Sequence, residues 1–505
     1  MKLYKTVLFF LAILLTLFLI QYIFPEEGIK LTEDITIHYP TSERLFEDEA
    51  ETYKDISHII DTSSESYQID LYKVFRKLNG TDDVLKYASY DTVYAKELDT
   101  IKPSKPDYYD DYQYIRQPIE YPGEDPALLS EFFKSLHETN SSDRLMRILH
   151  YGDSQIEGDR ITSYIRNELQ KRFGGSGIGM IPVQIKSHFT VSLKHQIADN
   201  WQHYSIQHTR NNRFDGRYGV LQGFSRFSPF NPDQNDEVRI FESWIEIETI
   251  SRSYYRARQF KNIKLFYGYN QKPLIVQLLK QDTLIDADIL LPNRDFSVYQ
   301  WSTGEKNDKY TIQFKGEHSP NVYAIATDGR SGIAMDNIPL RGSAGTDFTR
   351  NNFEFLKNIY DQLNVQLIIL QFGVNVVPGE LNNYDFYEKN LLRQLQFLKR
   401  MNPDRSIIII GVSDMSKKEN NVYVSYSNIE KIRNAQKNAA FKAGCAFWDT
   451  YEAMGGKNSM PSWVFHEPPL AQKDFTHFTY QGSKIIAKMF LEALMKEYEI
   501  YSREK

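Results

Sequence analysis

Apolar residues follow an alternating pattern of strand-like runs and helical spacings in two stretches of this chain. Between about residues 126 and 187, two segments with apolar residues at helical spacing flank a continuous apolar run, "RLMRILHY", that is typical of a buried strand. After about residue 335 the alternation of strand-like and helical segments resumes. The runs "VQLIILQFG", "RSIIIIGVS" and "CAFWDT" are separated by amphipathic helical segments. Strands separated by helices predict a parallel sheet that is covered by helices on both faces.

The segment between these two stretches has a different pattern. Short runs such as "EVRIFESWIEIETI" and "KYTIQFKG" alternate apolar and polar residues, and turn clusters separate them. This pattern predicts an all-β sandwich over residues 188–334. We therefore expect one three-layer α/β/α domain, built from residues 121–187 and 335–505, that is interrupted by an inserted sandwich.

An apolar run at the N-terminus spans residues 6–24 and follows Lys2 and Lys5. Its length of about 19 residues is enough for a helix to cross the bilayer core, and its basic side is expected in the cytoplasm. Residues 1–25 are therefore predicted to form an N-terminal transmembrane anchor, with a cleaved signal peptide as the alternative. In both cases the chain after Pro25 is predicted to be periplasmic or extracellular, with residues 26–120 as a linker or accessory region.

Composition excludes several classes of protein. The 505 residues include 34 Tyr and 31 Phe, too many aromatic residues for a disordered chain, and the net charge of −6 argues against a general nucleic-acid-binding protein. The single cysteine, Cys445, permits neither an intramolecular disulfide nor a thiolate metal cage. The histidines His188, His195, His203 and His208 lack a metal-binding spacing, so we expect neither a metal nor a cofactor.

A glycine-rich segment, "GGSGIG" at residues 174–179, is similar in composition to a dinucleotide-binding loop. It follows a predicted helix and precedes a predicted strand, whereas a pyrophosphate-binding loop follows a strand and opens a helix. We therefore interpret this segment as a flexible turn.

The segment Gly152–Asp153–Ser154 joins the first predicted strand of the α/β domain to a helix. Ligands of parallel sheets bind at this carboxyl edge, and the N–H groups at a helix start favour a developing oxyanion. Ser154 is therefore a candidate nucleophile whose own N–H would stabilise the oxyanion. The alternative is structural, because Asp153 or Ser154 can serve as a plain helix N-cap.

A serine nucleophile needs a base and a group that orients the base. Asp474 and His477 lie three residues apart before the last predicted helix, so the carboxylate can bind one imidazole nitrogen and leave the other for the serine proton. Such a pair is common, and a solvated loop histidine is the alternative for His477. His466 is a competing base, but it has no equally spaced acid before a helix.

Candidate donors to the oxyanion follow other predicted strands. Gly373 and Asn375 come directly after the run "VQLIILQF", so the Asn375 amide can donate at the same sheet edge as Ser154. A loop that contains Gly342 and Gly345 offers backbone N–H groups at another strand end.

The order of these motifs resembles that of the SGNH (GDSL-type) hydrolases, and the resemblance covers residues 121–187 and 335–505. It implies ester hydrolysis by a Ser-His-Asp triad on a three-layer α/β/α fold. By this resemblance, Ser154 is the nucleophile, His477 the base and Asp474 the acid. Gly342, with Gly345 as the alternative, and Asn375 are the oxyanion donors. Two positions depart from the family pattern: Val376 replaces the acidic residue that often follows the asparagine, and Gln155 replaces leucine at a position outside the triad where variation is expected to be tolerated.

An SGNH domain interrupted by a sandwich like a carbohydrate-binding module resembles the bacterial peptidoglycan O-acetylesterases. The resemblance implies a serine esterase that removes O-acetyl groups from an envelope polysaccharide such as peptidoglycan. A polysaccharide O-acetyltransferase with the same triad and a non-catalytic glycan-binding envelope protein are the alternatives. Six aromatic residues of the predicted sandwich can either stack on sugars or belong to its core: Trp201, Tyr204, Trp244, Tyr267, Tyr269 and Trp301.

Overall fold

A computed structural model describes most of the chain after residue 116, and the structural statements below concern the described residues. These are Thr16 and residues 29–30, 36–37, 54–60, 117–139, 142–185, 190–207, 215–230, 239–304 and 309–504. The chain divides into two units, Met1–Lys54 and Asp55–Lys505. In the first unit two short strands pair antiparallel, and every other element given below belongs to the second unit.

Twenty strands and nine α-helices are present in the described residues. The strands are β1 (Ile29–Lys30), β2 (Thr36–Ile37), β3 (Leu145–Gly152), β4 (Gly179–Ile181), β5 (Leu193–Ile197), β6 (Gln202–Ser205), β7 (Gly223–Arg226), β8 (Phe241–Thr249), β9 (Asn262–Gly268), β10 (Leu274–Lys280), β11 (Thr283–Leu290), β12 (Ser297–Ser302), β13 (Lys309–Gly316), β14 (Asn321–Asp328), β15 (Gly332–Pro339), β16 (Val365–Gln371), β17 (Ser406–Ile410), β18 (Ser416–Glu419), β19 (Val422–Ser425) and β20 (Ala446–Trp448). The helices are α1 (Ser130–Glu138), α2 (Thr162–Phe173), α3 (Tyr255–Arg258), α4 (Phe353–Gln362), α5 (Asp385–Met401), α6 (Ile429–Lys442), α7 (Thr450–Ala453), α8 (Ser459–Phe465) and α9 (Tyr480–Arg503).

The predicted parallel sheet is confirmed. Five strands run parallel in the order β15-β3-β16-β17-β20. Strand β15 pairs with β3 along its whole length, from Gly332 opposite Leu145 to Pro339 opposite Gly152. The sheet therefore joins the parts of the chain before and after the insertion.

Helices cover both faces of this sheet, as the continuous apolar runs of its strands require. Ile148 of β3 belongs to the core formed with α1, α2 and α9 on one face. The next residue, Leu149, belongs to the core formed with α4, α5 and α6 on the other face. Since neighbouring strand residues point to opposite faces, both cores meet at β3, and the domain has three layers.

The inserted domain is a sandwich of two sheets. One sheet has the order β11-β10-β13-β8-β5, and the other has the order β12-β9-β14-β7-β6 with β4 paired to β14. Sandwich strands therefore run from Gly179 to Asp328, and Gly332 already belongs to the parallel sheet. The predicted boundaries, residues 188 and 334, differ from these because β4 lies before the first and the start of β15 lies before the second.

The "GGSGIG" segment forms the predicted turn between α2 and β4, but several of its glycines pack closely against other strands, which the sequence did not reveal. Gly175 and Gly177 both have positive φ angles, of 107° and 85°. A Cβ atom on Gly175 would overlap the backbone of Ile333, and one on Gly177 would overlap the backbone of Thr327. The glycines are needed here because helix α2 returns to β4 in close contact with β14 and β15.

A buried ion cluster joins the sandwich to the parallel sheet. The guanidinium of Arg147 on β3 donates to Asp336 on β15 and to Asp328 on β14, each at 2.6 Å. Lys264 on β9 donates to Asp328 at 3.2 Å. Arg147 and the two aspartates are fully buried, so each charge depends on the others for its stabilisation.

The membrane prediction falls largely outside the described residues. Within those residues, no helix combines the length and the apolar character needed to span a bilayer. The predicted anchor, residues 1–25, is undescribed apart from Thr16, and so is most of the linker region, residues 26–120. Both remain predictions.

Candidate active site

The turn after β3 holds Ser154 at the carboxyl edge of the parallel sheet. Asp153 is the N-cap of the 3-10 helix Ser154–Asp159, and its side chain accepts a hydrogen bond from the Gln155 N–H at 3.0 Å. A Cβ atom on Gly152 would lie 2.9 Å from the Gln371 carbonyl oxygen, so the turn requires glycine. Because Asp153 supplies the cap, the Ser154 hydroxyl is available for another partner.

That partner is His477. The Ser154 hydroxyl oxygen lies 2.7 Å from His477 Nε2, and His477 Nδ1 lies 2.7 Å from an Asp474 carboxylate oxygen. With Nδ1–H donating to Asp474, the Nε2 lone pair accepts the serine proton. The structure thus brings the three residues into the arrangement of a nucleophile, a general base and an orienting acid.

Backbone N–H groups of its own turn hold the Asp474 carboxylate. Its second carboxylate oxygen accepts the backbone N–H groups of Thr476 and His477, each at 3.0 Å. Partial burial raises the pKa of Asp474, but the hydrogen bonds from His477 and Thr476 outweigh it and hold that pKa below its ordinary value. The acid therefore stays ionised beside the imidazole.

The turn between the acid and the base contains a residue with an unusual backbone conformation. Phe475 has a φ angle of 53°, which costs energy for any residue with a Cβ. Its ring stacks on Tyr423 of β19, with centroids 3.7 Å apart and planes at 14°. Its carbonyl accepts the Ser416 N–H at 3.1 Å. The hairpin of β18 and β19 therefore holds the Asp-x-x-His turn in a conformation that it would not keep alone.

Asp153 is a site residue whose second role the sequence did not reveal. Besides capping the turn, its carboxylate accepts the N–H groups of Gly373 at 3.0 Å and Val374 at 3.3 Å. Burial raises the pKa of Asp153 to about 6 despite these donors. The carboxylate ties the nucleophile turn to the segment that carries Asn375, a link that depends on the neighbouring strands β3 and β16.

The predicted oxyanion donors lie around the same open cleft, whose volume is about 560 Å³. Ser154, Gly342, Asn375, Asp474 and His477 all line it. The alternative to Gly342 is placed differently, because the Gly345 N–H donates to the Ser343 hydroxyl at 3.0 Å. Two arginines, Arg160 and Arg341, and Glu157 also line the cleft.

The rival base receives no support from the geometry of the described residues. His466 Nδ1 lies 2.8 Å from the Pro468 carbonyl oxygen, and the Ser154 hydroxyl faces His477 instead. The described residues contain no group of three or more His, Cys, Asp or Glu side chains that could hold a metal ion. His188 and His208 lie outside the described residues.

Cys445 is buried, and burial raises the pKa of its thiol to about 12. The reactive thiolate is therefore disfavoured.

Three of the six candidate sugar-stacking residues belong to the sandwich core. Trp201, Tyr267 and Trp301 are 4%, 8% and 2% exposed, which leaves no ring face for a sugar. Tyr204, Trp244 and Tyr269 are half-buried. Tyr204 stacks on Phe224 at 5.2 Å between centroids, so this ring also contributes mainly to packing.

Comparison with known proteins supports the architecture. No protein-family model and no curated protein matches the chain. Among solved structures, a peptidoglycan O-acetylesterase aligns with a TM-score of 0.56 and 21% identity, over 74% of this chain and 97% of that chain. A putative GDSL-like lipase from Bacteroides ovatus aligns with a TM-score of 0.24 and 11% identity, over 52% and 86% of the two chains. An acetyl xylan esterase aligns with a TM-score of 0.25 and 15% identity, over 31% and 79%.

The first of these structures is similar enough to establish the fold, and the other two are too distant to support an argument. The alignment covers about three quarters of this chain and nearly all of the peptidoglycan O-acetylesterase chain. The chain therefore shares its overall fold with this peptidoglycan O-acetylesterase structure.

Proposed function

We propose that this protein is a serine esterase that removes O-acetyl groups from an envelope polysaccharide, with O-acetylated peptidoglycan as its substrate. The observation that carries the proposal is the hydrogen-bonded chain from Ser154 through His477 to Asp474, with both links at 2.7 Å. The fold shared with a peptidoglycan O-acetylesterase supports the substrate class.

In the first half of the reaction, Ser154 Oγ attacks the acetyl carbonyl carbon while His477 Nε2 takes the hydroxyl proton. The N–H groups of Ser154 and Gly342 and the Asn375 amide stabilise the oxyanion of the tetrahedral intermediate. When the intermediate collapses, the bond to the sugar oxygen breaks and His477 returns the proton to that oxygen. The product is a free sugar hydroxyl and an acetyl ester on Ser154.

In the second half, water attacks the acetyl-Ser154 carbonyl carbon and gives its proton to His477. The second tetrahedral intermediate expels the Ser154 oxygen, which takes the proton back, and acetate leaves. The cleft at Ser154 is open, so water reaches the acyl-enzyme, and this favours hydrolysis over transfer to a second sugar. The alternative is an acetyltransferase, and the substrate assay described below distinguishes the two activities.

The test uses a small chromogenic acetate ester and the full chain. Wild type should turn the ester over, and Ser154→Ala or His477→Ala should lower kcat by about 10³-fold or more. His466→Ala is the matched control, because that histidine binds the Pro468 carbonyl and not the nucleophile; it should keep wild-type kcat. Unchanged turnover in the Ser154 and His477 variants would refute the site.

A second assay defines the substrate. Wild type should release acetate from O-acetylated peptidoglycan and none from the same material after chemical de-O-acetylation. Appearance of acetyl groups on an added glycan acceptor, in place of free acetate, would show a transferase. Glycan binding without any ester turnover would show a non-catalytic protein.

We also propose that residues 6–24 anchor the protein in a membrane, with the site on the periplasmic or extracellular side. The apolar run and its flanking Lys2 and Lys5 support this location. Cell fractionation of the full chain and of a chain without residues 1–25 tests it. Recovery of both chains in the same soluble fraction would overturn the anchor.

A further inference from the structure

Gln155, the residue after the candidate nucleophile, is buried against the turn that carries the candidate base. Its side chain is 2% exposed. Its Nε2 donates to the Thr476 carbonyl at 2.7 Å and to the Ser413 hydroxyl at 3.2 Å. Its Oε1 accepts the Phe478 N–H at 3.4 Å. One carboxamide therefore reaches backbone groups on both sides of His477.

These two backbone groups belong to the two peptide bonds of His477. The Thr476 carbonyl is part of the peptide bond that precedes the histidine, and the Phe478 N–H is part of the one that follows it. Both peptide planes determine where the imidazole lies. Gln155 is covalently attached to Ser154. Its carboxamide therefore links the position of His477 to that of Ser154, although the two residues are 323 positions apart in the sequence.

Arg160 makes a second link between the same two segments. Its guanidinium donates to the Ser154 carbonyl and to the Phe478 carbonyl, each at 2.9 Å. Its Nε donates to the Glu157 carbonyl, also at 2.9 Å. The turn after β3 and the turn before α9 are thus connected by two side chains that come from the nucleophile side.

We propose that Gln155 is a positioning residue that holds His477 at proton-transfer distance from Ser154. This rests on the esterase function proposed above. A leucine at this position could neither donate to Thr476 nor accept from Phe478, so the proposal predicts that variation is not tolerated here, contrary to the expectation from the family pattern. Misplacement of a reacting group by about 1 Å costs about 10² in rate, so the position matters although Gln155 contacts no substrate atom.

The first test compares Gln155→Leu with Gln170→Leu. Gln170 is a matched control because it is 1% exposed and its Nε2 also donates to two backbone groups, the carbonyls of Gly177 and Ile333 at 3.1 Å each. It lies near the opposite, amino-terminal edge of the sheet. We expect Gln155→Leu to lower kcat for a small acetate ester by about 10²-fold with KM unchanged. Gln170→Leu should lower Tm and leave kcat unchanged. Equal kcat in the two variants would overturn the proposal.

A second variant, Gln155→Glu, separates positioning from general stability. An ionised carboxylate would face the Thr476 carbonyl oxygen without a proton to donate, whereas the protonated acid can both donate and accept. A carboxyl group buried here is expected to protonate more readily than an exposed one. The kcat of Gln155→Glu relative to wild type should therefore rise as the pH falls. A ratio that stays constant with pH contradicts the proposal.

A third measurement does not need activity. Amide hydrogen exchange over residues 472–479 should be faster in Gln155→Leu than in wild type, and unchanged in Gln170→Leu, because the Phe478 N–H loses its acceptor. Unchanged exchange in Gln155→Leu would overturn the role of Gln155 even if the ester assay succeeded. Absence of turnover in wild type would refute the esterase function alone, and the exchange experiment would still decide whether Gln155 holds the turn.

Discussion

The side-chain amide of Asn375 donates to the carbonyl of Ser343 at 3.0 Å. Ser343 follows Gly342, so this contact joins the two predicted donors that do not belong to the nucleophile turn. It also holds the Asn375 amide in place, whereas the next residue, Val376, has no polar side chain that could do so. The proposed mechanism assigns the second N–H of the Asn375 amide to the oxyanion.

Removal of the Asn375 amide should therefore slow the chemical step. We expect Asn375→Ala to lower kcat for a small acetate ester by about 10²–10³-fold, the usual cost of losing one oxyanion donor, with little change in KM. Steady-state kinetics measure this. Asn438→Ala, on the exposed face of α6, should behave as wild type, and a wild-type kcat in Asn375→Ala would exclude the amide as a donor.

Glycine should be better tolerated than alanine at position 475. Both substitutions lose the Phe475 ring that stacks on Tyr423, but only alanine keeps the strain of a Cβ at a φ of 53°. Left-handed backbone costs about 1–2 kcal/mol for a residue with a Cβ, so Phe475→Gly should have the higher free energy of unfolding by about 1 kcal/mol.

Chemical denaturation measures this difference, and a helix position provides the control. At the exposed Lys488 of α9, the order should be reversed, because glycine in a helix is less stable than alanine by about 0.5–1 kcal/mol. If Phe475→Ala is the more stable of the pair, the backbone conformation at this turn is not strained.

The buried Asp153 should make stability depend on pH. Burial raises its pKa to about 6 in the folded protein, whereas an unfolded aspartate has a pKa of about 3.9. Between these values the folded chain binds more protons than the unfolded chain, so this group lowers the free energy of unfolding as the pH rises. The total effect of Asp153 on the free energy of unfolding is about 3 kcal/mol.

In the Asp153→Asn variant the carboxyl group that titrates is replaced by an amide, which does not titrate. Between about pH 4 and pH 7, its free energy of unfolding should fall by less than that of wild type, as measured by denaturation at a series of pH values. Asp286→Asn, at an exposed position, should keep the wild-type pH dependence. Identical slopes in wild type and Asp153→Asn would show that Asp153 does not titrate in this window.

Removal of the Arg147 charge from the ion cluster between the two domains should lower the free energy of unfolding more than removal of the charges of Arg147, Asp328 and Asp336 together. Arg147→Met leaves Asp328 and Asp336 buried without their guanidinium, and we expect a loss of about 3–5 kcal/mol in the free energy of unfolding. Adding Asp328→Asn and Asp336→Asn to that variant should recover part of the loss, because the uncompensated charges disappear.

Arg144→Met is the matched control, since Arg144 is exposed, and its free energy of unfolding should stay within about 0.5 kcal/mol of wild type. Chemical denaturation of the four chains gives the comparison. A triple variant less stable than Arg147→Met alone would show that the aspartates stabilise the fold by contacts other than the ion cluster.

The sequence predicted the elements of the α/β domain well because periodicity is a local property. The runs around Ile148, Ile369 and Ile409 are strands in the parallel sheet, and the last helix begins at Tyr480, shortly after His477. The limits of the sandwich were not predictable in this way. The short strand β4 belongs to the sandwich only because it pairs with β14, some 145 residues later, and no local pattern records that pairing.

By itself, the sequence determined which side chains have suitable chemistry: a serine at a strand end, an Asp-x-x-His pair before a helix, and an asparagine after another strand. Only the tertiary structure decided that Ser154 and His477 meet at 2.7 Å, that Asp153 joins two strand ends, and that Gln155 spans both peptide bonds of the base. The physical reason is that residue type and spacing act within a few residues. The distance between remote side chains depends on strand order and on buried hydrogen bonds, which form only when the whole sheet assembles.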